Sequence, residues 1–174
     1  MAFQSSVNTD LGFGVIGEQF LAGDVRATPA TIVSGSAANN VVGRAFTVSN
    51  GADSSGDCIT AAAGGTGIFA GILANPKSYA SVGTASGTLV PTLALPNYTN
   101  GELVNSTPGH IVTLAGAADV GYWVEFVQAT GVLNAIAAGA AVTAGSTIIK
   151  GARIERYDVA SGLAVMSLNT VTAT

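Results

Sequence analysis

Charge is scarce in this 174-residue chain, where Asp, Glu, Lys and Arg make up 9% of the sequence. A typical soluble domain has about 25% of such residues. The net charge is −4 at neutral pH, and no basic cluster is available to neutralise phosphates, so we expect no nucleic-acid partner. Weak charge also leaves little repulsion between protein surfaces. The composition therefore favours a protein that packs against other proteins.

Long apolar runs and aromatic side chains are scarce as well. The longest weakly polar run, Val132 to Ala144, is interrupted by Asn134 and Thr143 and is shorter than the roughly 20 residues of a spanning helix. Aromatic residues make up only 6% of the chain and are scattered, unlike the aromatic girdles of an outer-membrane barrel. We therefore predict no membrane partner.

Cysteine and signal-like features give little information about processing. Cys58 is the only cysteine, so no internal disulfide can form. The first residues have no cationic stretch followed by an apolar one, so no secretory signal is predicted. We expect synthesis in a cytoplasm.

Three short stretches resemble ligand sites and fail on chemistry. GFGVIG at 12–17 has the glycines of a dinucleotide site, without the strand, helix and downstream acid that the site requires. GILANPKS at 71–78 places Pro76 where a phosphate loop needs a backbone N–H. The loop at 50–57 has oxygen ligands but not the terminal bidentate glutamate of a calcium loop. We predict no cofactor and no metal.

No catalytic constellation is evident either. His110 is the only histidine and has no second imidazole with which to share a metal. An enzyme would need a pocket where His110, Asp119 or Glu125 meets a hydroxyl group, and nothing in the spacing brings them together. We therefore predict that the protein is not an enzyme.

Short strand-like runs separated by turn residues recur along the chain and predict an all-β fold. Runs at 41–49, 58–63 and 67–73 would form a meander paired through its middle run. The YWVEFVQ stretch at 122–128 alternates and should form a hairpin with 132–136. Two short runs at 102–105 and 111–114, separated by Ser106 to Gly109, and a last pair at 148–157 and 163–168 bring the count to around nine or ten strands from Val41 onward. The run at 148–157 carries four charges, which marks a place where pairing at a sheet edge could be controlled. This spacing predicts one β-barrel or β-sandwich of short antiparallel strands.

The first forty residues have a different texture, with frequent glycine between isolated bulky side chains. Glycine at this density disfavours a helix. We interpret residues 1–40 as an extended N-terminal arm, with at most one strand near 15–20, and residues 41–174 as the body. The alternative is that the arm pairs with the sheet of the body.

Six motifs in order resemble a known family: SSVNTDLGFGVIGE, VVGRAFTV, FAGILANPKSYAS, GELV, ATGVL and ARIERYDVASGLAVMSLN. Together they are similar to the capsid decoration proteins, or structural cement proteins, of tailed bacteriophages. The resemblance implies a β-rich oligomer, a trimer or alternatively a dimer, on the capsid exterior. It implies binding to the major capsid protein, where it would clamp neighbouring subunits after synthesis in the bacterial host cytoplasm. The alternative is a β-structural protein of the virion tail or fibre.

The arm carries the candidate contact residues. An extended segment with spaced bulky side chains can lie in the grooves of a neighbouring molecule. The residues that we expect to contact the capsid or a neighbouring copy are Phe3, Phe13, Val15, Ile16 and Phe20.

Overall fold

The computed structural model describes residues 14–48, 59–76 and 93–169, and in these ranges the fold is built from strands. The nine strands are β1 (Arg26–Ile32), β2 (Ala45–Val48), β3 (Ile59–Ala63), β4 (Ile68–Leu73), β5 (Thr99–Thr113), β6 (Trp123–Val127), β7 (Leu133–Ile136), β8 (Ser146–Asp158) and β9 (Leu163–Asn169). The only helical element in these ranges is a 3-10 turn at Ala37–Asn39. The all-β prediction is confirmed.

The first five strands close into a barrel. Their order is β1-β3-β2-β4-β5, and β5 pairs back with β1 to complete the ring. Most pairs are antiparallel, but β1 and β3 run parallel, with Ala30 opposite Ile59. A closed ring leaves no free sheet edge, which is why a barrel of short strands is stable. Of the two predicted architectures, the barrel is the one that forms.

The meander prediction is wrong about which strand lies in the middle. We expected β3 to lie between β2 and β4, whereas β2 pairs with β3 on one side and with β4 on the other. The turn after β3 contains Gly64 and Gly65, both with positive φ, and it carries the chain past β2 to the far side. β3 is then free to pair with β1, and this pairing closes the barrel.

β5 continues beyond the barrel into a second sheet of order β5-β9-β8-β6-β7. Sequence indicated two short strands here, separated by Ser106 to Gly109. The structure forms one strand of 15 residues, because a register shift between Thr107 and His110 accommodates Pro108 against β9. A bulge of this kind lets a strand bend without ending.

The β6–β7 hairpin is confirmed, with Trp123 opposite Ile136 and Phe126 opposite Leu133. β8 and β9 also pair as predicted. The charges of β8 lead us to interpret it as a strand at an exposed sheet edge. That interpretation is wrong, because β8 lies between β9 and β6 and its charged side chains project from the face of the sheet.

Two apolar clusters form the core. The cluster in the barrel consists of Ala30, Ile32, Val42, Phe46, Ala61, Ala63, Leu73, Leu95 and Leu103. The cluster under the second sheet is larger and includes Val112, Val124, Phe126, Leu133, Ile149, Ile154, Met166 and Leu168, with Phe69 packed against it. β4 and β5 contribute to both clusters, so the barrel and the second sheet are packed as one unit.

Backbone contacts join the barrel to the β6–β7 turn. Ala45 N–H donates to the carbonyl of Gly131, and Ala45 carbonyl accepts from Gly64 N–H, both at 2.9 Å. Gly64 and Gly131 have positive φ, and a Cβ on either would overlap a backbone atom across the junction. The junction therefore needs glycine on both sides.

Within residues 1–40 we expected at most one strand, near 15–20, and the strand that the structure shows there is β1. The sequence of β1, RATPATI, contains a proline that disfavours strand formation. Pro29 is tolerated because the β3 ladder begins one residue later, at Ala30, so no β3 hydrogen bond is lost. β1 therefore pairs with the sheet of the body, as in the alternative that we gave for the arm. Whether residues 1–40 reach another molecule stays a prediction.

Candidate contact surface

Residues 14–25 lie along the outer edge of β5. Gly17 N–H donates to the carbonyl of Ile111 at 2.8 Å, and Phe20 N–H donates to the carbonyl of Gly109 at 2.9 Å. Gln19 forms an isolated antiparallel bridge with His110. The Gln19 side-chain amide donates to the carbonyl of Leu21 at 2.6 Å, which holds the following turn.

This segment covers a second apolar face of the sheet. Ile111 and Val165 lie opposite each other on β5 and β9, and each is at most 2% exposed. Their neighbours along the strands point into the larger core cluster, so by alternation these two side chains point to the other face. Gly14 lies directly against the Ile111 side chain, where a Cβ would come within 2.5 Å. The N-terminal segment therefore buries Ile111.

Several large apolar side chains of the same segment remain exposed. We call them the N-terminal strip: Val15 (48% exposed), Phe20 (39%), Leu21 (43%) and Val25 (40%). Single exposed apolar residues are common, but four within residues 15–25 make this segment a surface suited to a protein partner. The Phe20 ring also lies 5.9 Å from the guanidinium carbon of Arg156, a cation–π distance.

The five predicted contact residues fall into three groups. Phe3 and Phe13 lie outside the described residues. Val15 and Phe20 belong to the N-terminal strip. Ile16 packs against the barrel cluster, and its side chain lies close to Gly43. Sequence reasoning missed Leu21 and Val25, although both are bulky residues in the same glycine-rich segment. That these side chains touch a capsid stays a prediction.

The second feature of this surface is positive charge on β8. Lys150, Arg153 and Arg156 are all exposed on this strand. The two acidic residues of β8 are held by serine hydroxyls: Ser167 donates to Glu155, and Ser161 donates to Asp158, both at 2.5 Å. The Ser161 bond, with backbone N–H groups of the same turn, lowers the pKa of Asp158. These bonds hold the two acidic side chains locally, and the strand as a whole carries three basic and two acidic side chains.

The residues that an enzyme would have needed lie apart. His110 pairs with Met166 on the core face of β5 and is 2% exposed. Glu125 lies on the opposite face of β6, where its carboxylate accepts a hydrogen bond from Thr143 N–H at 2.9 Å. Asp119 accepts from the Tyr122 hydroxyl, which raises the pKa of Tyr122. No described contact joins any two of His110, Asp119 and Glu125.

Two further features concern residues 14–48, 59–76 and 93–169. These ranges hold no group of three or more His, Cys, Asp or Glu side chains placed to bind a metal ion. They also contain no helix long and apolar enough to cross a lipid bilayer.

Fold and surface together define an all-β protein with an exposed apolar strip beside β5 and, near it, a strand that exposes three basic side chains. Residues 3–169 match the family described as structural cement protein (E217 gp24/Pam3 gp6), and the chain belongs to this family. It is therefore a structural protein of the virion that stabilises the phage capsid.

A solved structure supports the fold assignment. A protein in the structure entitled "The capsid of Myoviridae Phage XM1" superposes with a TM-score of 0.63 at 15% identity. The similarity covers 98% of this chain and 99% of that one. At this identity the similarity shows a shared fold across the full length. A search of curated proteins gives no match.

Proposed function

We propose that the protein binds the outer surface of the capsid as an oligomer and clamps neighbouring major-capsid subunits through its N-terminal strip. The observation that carries the proposal is the exposure of Val15, Phe20, Leu21 and Val25 on one hydrogen-bonded segment, in a chain of the cement family. Among the oligomers, a trimer is preferred and a dimer is the alternative. The role is structural and needs no catalysis.

The free energy expected from each apolar contact supports a clamp made of several weak contacts. Fully burying one large apolar side chain contributes about 1.5–3 kcal/mol relative to leaving it exposed. Each residue of the N-terminal strip is already about half buried, so burying its remaining surface contributes only part of this free energy. One strip therefore binds weakly on its own. An oligomer that presents two or three strips gains avidity, because the second contact forms at a high effective concentration.

Point substitutions test the strip more sharply than truncation. Deleting residues 1–23 would remove the backbone bonds of Gly17 and Phe20 to β5 and would uncover Ile111. Val15→Ser and Phe20→Ser remove exposed apolar surface and leave these bonds in place. Val159→Ser is the matched control, since Val159 is 82% exposed in the turn between β8 and β9.

We expect the Val15→Ser/Phe20→Ser double variant to lose about tenfold or more in affinity for undecorated, expanded capsids, as about 1.4 kcal/mol or more of apolar contact disappears. Co-sedimentation with capsids measures this retention, and circular dichroism checks folding. Val159→Ser should bind like the wild type. Equal retention of all three proteins would refute the role of the strip. Analytical ultracentrifugation of the free protein decides between trimer and dimer.

A further inference from the structure

A pocket interrupts the second sheet between β6 and β8. Trp123 lies opposite Arg153, yet two residues further along β6, Glu125 lies opposite Ile148. Residues 149–152 of β8 therefore face Val124 alone, and the strand bows outward. The bow leaves a half-open pocket of about 270 Å³ whose lining includes Trp123, Lys150, Gly151 and Arg153.

The backbone fixes this pocket. Gly151 adopts φ +79°, a conformation that favours glycine. A Cβ at this position would overlap the carbonyl oxygen of Asn169 on β9, so β8 can bow here only because residue 151 has no side chain. The pocket is consequently a stable feature of the fold.

Ile148, Ile149 and Ala152 give the pocket apolar walls, and its polar side-chain groups are hydrogen-bond donors. Lys150 contributes an ammonium, Arg153 a guanidinium and Trp123 an indole N–H. The ammonium and the guanidinium have no ion-pair or hydrogen-bond partner within the part of the chain that the structure describes. Donor groups of this kind bind carboxylates, and a guanidinium can hold one with two parallel bonds.

We propose that this pocket binds an acidic segment of the major capsid protein, through carboxylate groups placed against Lys150 and Arg153. The inference rests on the proposed function, which supplies the capsid as partner. The chemistry of the lining supports it, because Lys150 and Arg153 are exposed cations in a chain with only six basic residues, while the two acids of the same strand are bonded to serine hydroxyls. The pocket also lies on the same strand as Arg156, which is next to Phe20 of the N-terminal strip.

Capsid binding as a function of salt tests the pocket. Lys150→Gln and Arg153→Gln each remove one charge, and Arg26→Gln is the matched control, an exposed arginine on β1 that does not line the pocket. At low salt we expect each pocket variant to bind capsids about two- to fivefold more weakly than Arg26→Gln, with a shallower salt dependence. Equal affinity and equal salt dependence of all variants would overturn the inference.

A second readout does not depend on capsids. Trp123 is the only tryptophan, so its fluorescence reports directly on the pocket. A hexaglutamate peptide should change this fluorescence in the wild type, the change should be lost in Arg153→Gln, and hexaglutamine at equal ionic strength should have no effect. Identical responses to the two peptides would contradict the inference.

The two readouts separate failure of the pocket from failure of the proposed function. If the wild type does not co-sediment with capsids, the proposed function and the capsid as occupant both fail, whatever the peptide does. If the wild type binds capsids and the pocket variants bind equally well, only the pocket assignment fails. If Arg153→Gln instead changes the mass of the free oligomer and leaves capsid retention unchanged, the pocket contacts a second copy, and the capsid is excluded as its occupant.

Discussion

His110 is the most perturbed titratable side chain that the structure describes. Burial penalises its charged form and lowers the pKa of the imidazole from 6.5 to about 4. Its paired neighbours on either side, Gln19 and Met166, are uncharged, and its Nε2 atom has no hydrogen-bond partner. The folded protein therefore holds this histidine neutral, whereas the unfolded chain protonates it at a higher pH.

This difference predicts a loss of stability in mild acid. Stability from His110 is fully present above its unfolded pKa of 6.5 and falls as the pH drops toward the folded value of about 4. We expect the free energy of unfolding to fall by about 2 kcal/mol between about pH 7.5 and about pH 5 because of this group. Urea denaturation at several pH values measures the change.

His110→Leu is the control for this prediction. Leucine keeps the site apolar and cannot be protonated, and no hydrogen bond is lost at the unpartnered Nε2. The variant should show a much flatter dependence of stability on pH over the same range. A dependence as steep as that of the wild type would assign the effect to other groups.

Among the elements, those with a strong local signal were predicted and the others were set by distant contacts. The β6–β7 hairpin was predictable because alternation in YWVEFVQ was followed by the ATG turn. β1 was not, because Pro29 is acceptable only where the β3 ladder has not yet begun. The continuity of β5 through Pro108 likewise depends on a bulge against β9.

The candidate site was predictable to a similar degree. The bulky residues of the glycine-rich segment directed attention to the N-terminal strip, and the charges of β8 were evident from its sequence. Sequence could not show that Ile16 turns toward Gly43 and the barrel, because that contact joins residues far apart in the chain. Nor could it show the β8 pocket, which depends on a register difference between two strands.

The junction between the barrel and the β6–β7 turn gives a prediction about glycine. Gly131 has φ +72°, and a Cβ there would overlap the carbonyl oxygen of Ala45. Gly121 has a similar φ of +86°, but a Cβ there meets nothing within 4 Å. Both alanine variants carry the same backbone strain, so Gly131→Ala should lower the free energy of unfolding by at least about 1 kcal/mol more than Gly121→Ala.

Chemical denaturation of the two alanine variants measures this difference. The comparison isolates the overlap with Ala45, because strain in the left-handed region is common to both. Equal destabilisation would mean that the junction relaxes to admit a methyl group.

In the whole molecule, the barrel and the second sheet share one strand and adjoining cores. β5 pairs with β1 and β4 in the barrel and with β9 beyond it. We therefore expect a single cooperative unfolding transition. The fluorescence of Trp123, which lies in the second sheet, should follow the same denaturant curve as far-ultraviolet circular dichroism, which reports on all strands. Two separated midpoints would show that the halves unfold independently.

The length of β5 also decides how the molecule responds to tension. In the proposed clamp the protein is held at two places, and a pull between the barrel and the second sheet runs along β5. The hydrogen bonds of β5 are perpendicular to the direction of this force and are loaded in shear. Many of them must therefore break at the same time. β7, the terminal strand of the sheet, is held on its outer side only at Leu133, which bridges to Leu114, so the rest of it can be peeled away bond by bond. We expect a stretched molecule to fray first at β7, while β5 keeps its two halves tied.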